Sequence, residues 1–175
     1  FAAVDTEFTA CIDIDVSITG NTISQLLPYF SDDKVALVAP RVKSPATTSV
    51  LGEYEVAASV LDMGETEARV RSGTRVSYVP SAMWLCRTTA LRSLSGFDES
   101  LRSGEDVDMV WRLTAAGWRC RYQPQAECSH SPRTTLQKFV QQRMSYGESA
   151  APLAKRHPGK LAPATFNLWQ TSTWL

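Results

Sequence analysis

The sequence predicts an α/β protein with helices flanking a mainly parallel sheet. Three observations carry this. Apolar strand, amphipathic helix and apolar strand follow one another between Thr6 and Val42, the order of a layered α/β unit. The run KVALVAPRV is continuously apolar, as in a strand covered on both faces. GEDVDMVWRLTAAG reads as a helix closed by Gly117 and followed at once by the strand-like RCRY.

Each element follows from its own pattern. TEFTACIDID is rich enough in β-branched and aromatic residues for a strand, and it ends on Asp13 and Asp15. In TGNTISQLLPYFSD, Thr19 or Asn21 can cap a helix whose Ile23, Leu26, Leu27 and Phe30 share one face, and Pro28 bends or ends it. SPATTSVLGEYEVAASVLDMG is a loop and then a helix, and EARVRSGTRVSYVP is basic and loop-rich. Met83 to Cys86 reads as a strand, followed by a short helix capped at Gly96. The helix from about Glu105 to Ala116 precedes strands at Arg119 to Tyr122 and in AECSHSP, and Arg133 to Arg156 is mostly one long amphipathic helix stopped by HPG.

With 175 residues the chain is expected to form one domain or most of one. The apolar share is 43%, and 18 basic residues balance 18 acidic ones. That balance, without a basic tract, argues against charge-driven nucleic-acid binding. No apolar run reaches the length of a membrane span. None of the four cysteines is spaced as CxxC, so a structural zinc site is not expected and a reducing, cytoplasmic location is.

Asp13 and Asp15 form a DxD pair at the expected end of a buried strand. At that spacing on a strand both carboxylates share a face. Like charges so close repel unless a cation neutralises them, and a carboxylate pair suits Mg²⁺ or Mn²⁺ with ligand phosphates. Ligands of open α/β sheets bind beyond such strand ends, although a solvated strand end accounts for the pair equally well. Glu105, Asp106 and Asp108 crowd the start of a helix. The helix dipole favours acids there, yet three in four residues exceed what capping needs, and a carboxylate so placed can serve as a general base. His130 stands alone, as a packed imidazole or a ligand. Trp84, Trp111 and Trp118 are core rings or sugar platforms.

The order DID, PRV, VPSAMWLCRTTALRSLSGFDESL, GEDVDMVWRLTAAGWRCRYQP, His130 and a basic helix resembles the family 2 glycosyltransferases over nearly the whole chain. The run YGESAAPLAKRHPGKLAP is similar to the subfamily found in mycofactocin biosynthesis systems. The resemblance implies a partial GT-A fold with a mixed, mainly parallel sheet, residues 1–130 forming the C-terminal part of a catalytic domain and 131–175 a helical extension. It also implies inverting transfer of a hexose, glucose first, from a UDP-sugar to a hydroxyl acceptor, a glycan or a peptide-derived redox cofactor precursor. Asp15, with Asp13 and His130, would hold Mn²⁺ or Mg²⁺, and Asp13 and Arg143 would face the nucleotide sugar. Asp106 would be the catalytic base, with Glu105, Ser81, Trp84 and Trp111 on the acceptor side.

The family's N-terminal half, which carries nucleobase-gripping acids, has no counterpart here. The 175 residues are therefore expected to be a fragment, inactive alone, of a cytoplasmic parent, with attachment to the inner face of the membrane left as an open alternative. The Gln-x-x-Arg-Trp motif of processive members is missing, with Val140 and Met144 flanking Arg143 instead. Short or single sugar addition thus stands level with long-chain synthesis. Two other functions compete. DIDVS also resembles the first motif of haloacid-dehalogenase-like phosphatases, with Asp13 as nucleophile, and a non-catalytic sugar- or nucleotide-binding segment would need no base.

Overall fold

A computed structural model describes residues 4–45, 47–131 and 135–161. The expected helix start at Arg133 and the aromatic run 166–175 lie outside the described residues.

The chain builds strand β1 (Phe8–Ile12), strand β2 (Val16–Ile18) and helix α1 (Thr22–Leu26), which tightens into a 3₁₀ turn over Leu27–Ser31. Pro28 falls in the first turn of the 3₁₀ segment, where its missing N–H is harmless. Strand β3 (Val35–Lys43) is buried along almost its whole length, as its apolar run predicts. Helix α2 (Val50–Ala58) starts where the Ser49 hydroxyl accepts from the Gly52 N–H. Strand β4 (Ala68–Val70) lies within the stretch expected to be loop. Strand β5 (Met83–Arg87), helix α3 (Thr88–Ser93) and helix α4 (Glu105–Ala115) come next. The two strands expected near the end are one, β6 (Arg119–His130). The single C-terminal helix is two, α5 (Leu136–Glu148) and α6 (Ala150–Arg156), meeting at Ser149.

The described strands form one sheet in the order β1-β5-β3-β6-β2, with β4 also on β6. The α/β class and the mixed sheet hold, but the share of parallel pairs does not. Only β3 and β6 pair in parallel, and the other four pairings are antiparallel. The strand–helix–strand order is real, yet β1 and β3 are not neighbours: β5 inserts between them, antiparallel to both. A buried central strand has the same apolar pattern whichever way its neighbours run, so its direction is set by long-range pairing alone.

The two faces of the sheet carry separate cores. Ala36, Leu37, Trp84, Cys86, Cys120 and Tyr122 pack under α3 and α4 with Leu91, Met109, Val110 and Leu113. Val35, Val38, Val42, Met83, Leu85 and Cys128 pack on the other side with Leu26 and Phe30. Alternation along β5 splits its four apolar residues evenly between the two. Burying each large apolar side chain contributes about 1.5–3 kcal/mol against chain entropy. This two-faced sheet fixes where its C-terminal strand ends and the start of α4 emerge.

Candidate active site

The carboxylate pair leaves the sheet as a tight turn. The Val16 N–H donates to the Asp13 carbonyl at 3.1 Å, and the Asp13 N–H to the Ala82 carbonyl at 3.0 Å. Asp13 and Asp15 therefore sit between β1 and β2, and the shared strand face expected of them is replaced by a turn. Ile14, fully solvent-exposed, forms the outer corner of that turn. Strand β2 pairs with the end of β6, Val16 opposite His130. This register puts the His130 Nε2 3.3 Å from the Asp15 carboxylate. Partial desolvation raises the Asp13 carboxyl above its ordinary value, and the Asp15 charge adds to this, while His130 opposes it.

The second acidic site stands on α4. Its N-cap is Gly104, with φ of 80°, and a Cβ there would lie 2.9 Å from both Ser149 Cβ and Leu153 Cδ1. Only glycine combines that left-handed turn with so close a helix contact. Asp106 follows on the first turn, its Oδ1 accepting from the Val107 N–H at 2.7 Å. Burial pushes its carboxyl up to about 6, and the neighbouring Glu105 charge adds to this against the backbone N–H donors of Val107 and Ser81. Asp108 behaves differently. It is buried, and its two oxygens face Arg112 at 2.6 Å and His157 at 2.8 Å.

One cavity of about 530 Å³ joins these parts. Asp13, Asp15 and His130 line it together with Ser81, Glu105, Asp106 and Trp111. Trp111 is almost fully buried and its indole N–H donates to the Ser77 carbonyl at 2.9 Å, so it acts as a fixed wall. Trp84, expected on the acceptor side, is instead a core residue with no exposed surface, stacked on Phe97 at 5.6 Å. Strand alternation turns it inward under α4. Arg143 reaches the cavity from α5, but its guanidinium is held by Glu55 of α2 at 2.9 Å and lies over the Phe139 ring.

Sequence reasoning missed the wall opposite the sheet. Gln142, Tyr146, Ser149 and Leu153 of the C-terminal helices line the cavity, as does Tyr78. Burial raises the Tyr78 phenol, with the Asp106 charge contributing and Arg143 opposing. Arg143 and the YGESAAPL run are the sequence signals for that wall, and neither carries a place in space.

Two carboxylates and an imidazole form a donor set suited to Mn²⁺ or Mg²⁺. Among the described residues no three His, Cys, Asp or Glu side chains gather closely enough to hold a metal unaided. The Asp15–His130 pair with Asp13 beside it fits an ion whose other positions go to phosphate oxygens and water. The described lining includes no lysine, which a haloacid-dehalogenase-type site requires.

The chain belongs to glycosyl transferase family group 2, whose sequence pattern matches residues 8–172. This sets aside the phosphatase reading. Over 99% of its length the chain is 45% identical to the pre-mycofactocin glycosyltransferase of Mycobacterium tuberculosis, in strains CDC 1551 / Oshkosh and ATCC 25618 / H37Rv alike. It spans 37% of the length of these curated relatives.

Solved structures share its fold at low identity. One is the mannosyltransferase PcManGT of Pyrobaculum calidifontis in complex with GDP-Man and Mn²⁺, with TM-score 0.56 and 16% identity over 90% of this chain and 41% of that one. Another is GalNAc-T7 with UDP, GalNAc and Mn²⁺, with TM-score 0.52 and 11% identity over 73% of this chain and 28% of that one. The fold is thus a partial GT-A fold. No described helix is long and apolar enough to cross a membrane.

Proposed function

We propose that the full-length protein is an inverting, metal-dependent glycosyltransferase. It moves a hexose, glucose first among candidates, from a UDP-sugar to a hydroxyl acceptor, with a peptide-derived redox cofactor precursor as the favoured acceptor. The observation that carries this is one cavity bordered by a metal-suited acidic turn and by a separate carboxylate with a raised proton affinity. The relatives support the finer points: one is named for pre-mycofactocin, and both solved structures hold Mn²⁺ with a nucleotide or nucleotide sugar.

In this reading Asp13, Asp15 and His130 would hold the divalent ion on the donor diphosphate. The bound ion supplies positive charge to the departing diphosphate. Asp106 takes the proton of the acceptor hydroxyl as that oxygen bonds to the anomeric carbon. The bond to the diphosphate oxygen breaks with its electron pair, through an oxocarbenium-like transition state. A carboxyl poised at about 6 is well matched to proton abstraction near neutral pH. Ser81, with Glu105 and the Trp111 wall, borders the acceptor's approach. Arg143, near Tyr78, would add positive charge toward the donor.

The test is transfer from UDP-glucose by the full-length protein with Mn²⁺, run beside calorimetric titration with UDP and GDP. Turnover that requires metal and acceptor supports the reading. UDP binding without transfer to any hydroxyl acceptor would favour the non-catalytic binding segment, and tighter GDP binding would overturn the choice of base.

A further inference from the structure

We propose that His157 is a positioning residue for the base: from the end of α6 it grips Asp108, and so holds the start of α4, with Asp106, against the helical wall of the cavity. This rests on the reading of Asp106 as proton acceptor.

A buried carboxylate must find partners or become very costly. Asp108 is 2% exposed, two residues after Asp106. Its Oδ2 accepts from the Arg112 Nε at 2.6 Å, and its Oδ1 meets the His157 Nε2 at 2.8 Å. Arg112 in turn donates to the carbonyls of Leu94 and Gly96 at 3.0 and 2.9 Å, tying α4 to the turn after α3. The His157 ring stands edge-on to Trp111, with centroids 5.2 Å apart, and its backbone N–H closes α6 on the Leu153 carbonyl at 2.8 Å. The imidazole is thereby fixed from both sides.

Other contacts also join α6 to the region around α4. Leu153 and the preceding Ser149 touch the Gly104 cap, and Arg156 pairs with Asp98 at 3.0 Å. The first is apolar and non-directional. The second is a partly exposed ion pair of the kind that contributes little. The His157–Asp108 bond is directional and desolvated, and at 2.8 Å it is shorter than the 3.4 Å bond from the Lys160 Nζ to the Trp111 carbonyl, so it is the link that sets register. The α5–α6 unit it anchors also brings Gln142, Arg143 and Tyr146 to the cavity. Base and facing wall therefore share a buried, directional bond, and a displacement of about 1 Å between reacting groups can cost on the order of 10²-fold in rate.

Two substitutions in the full-length protein separate positioning from packing. His157→Leu keeps bulk and loses the bond, whereas His157→Gln keeps a donor for Asp108. Hydrogen exchange is followed at the Asp108 amide, which bonds the Gly104 carbonyl at 3.0 Å, and along α6. In His157→Leu both should exchange at least about tenfold faster, while β3 and β6 stay protected. Acceptor-dependent kcat should fall by about tenfold or more with UDP affinity in Mn²⁺ unchanged, and His157→Gln should restore both. Wild-type exchange in His157→Leu, or equal damage in His157→Gln, overturns the proposal. If wild-type protein transfers no sugar yet exchange responds as stated, the latch stands and the transferase reading fails.

Discussion

Asp15 and Asp106 border the same cavity in opposite surroundings. Asp15 lies on an open turn with an imidazole 3.3 Å away and a second carboxylate close by. Asp106 lies at a helix start, half-buried, with Glu105 as its neighbouring charge and backbone N–H groups for donors. The first arrangement gathers acidic oxygens beside an imidazole. The second favours holding a proton. Asp108 supplies the control, since it is more deeply buried than Asp106 but has Arg112 and His157 on its two oxygens. On the proposed reading, three residues of one type would serve as ion ligand, proton acceptor and structural link according to what surrounds each.

The sharpest way to break this comparison is Asp106→Asn in the full-length protein. Turnover should fall by about 10²–10⁴ with UDP affinity in Mn²⁺ nearly intact. Equal loss of both would show that the two ends do not divide the work. The converse experiment is Asp15→Ala, in which the Mn²⁺-dependent part of UDP binding should disappear, as read by calorimetry with and without chelator. Binding that stays metal-sensitive would move the ion site elsewhere.

A third test uses stability. The folded Asp106 carboxyl titrates at about 6 against 3.8 for an ordinary aspartate. The folded state therefore holds a proton that the unfolded chain has released. Its stabilising effect is complete below about pH 4, declines as pH rises through about 6 and is absent above. A charged Asp106 accordingly costs up to about 3 kcal/mol at pH 8. Asp106→Asn should raise the melting temperature at pH 8 and leave it unchanged near pH 4. In the wild type, kcat/KM should fall about tenfold per pH unit below about 6. The smallest effect is expected of Trp84→Phe, with acceptor KM unchanged and a stability change within about 0.5–3 kcal/mol. The indole N–H has no hydrogen-bond partner among the described residues, so its removal offsets part of the lost packing.

Much of this was legible in the chain. The acidic helix start, the glycine stop at Gly117 and the fully apolar β3 were readable because caps and periodicity act within a few residues. The DID pair was recognised, but its turn was not, because strand and tight turn accept the same short acidic stretch. Trp84 was misplaced for a similar reason. Its neighbours alternate, and nothing local says which face meets α4. The insertion of β5 between β1 and β3 and the return of α5 and α6 to the cavity depend on pairings far apart in sequence, which no local pattern encodes.

The contact at Gly104 bears on how such a protein can diversify. A single added methyl there would collide with the α5–α6 junction and demand a backbone angle that side chains resist. Substitution is therefore expected to be far better tolerated at other cavity-lining positions, such as Tyr78 and Gln142, than at this junction, which requires the smallest residue.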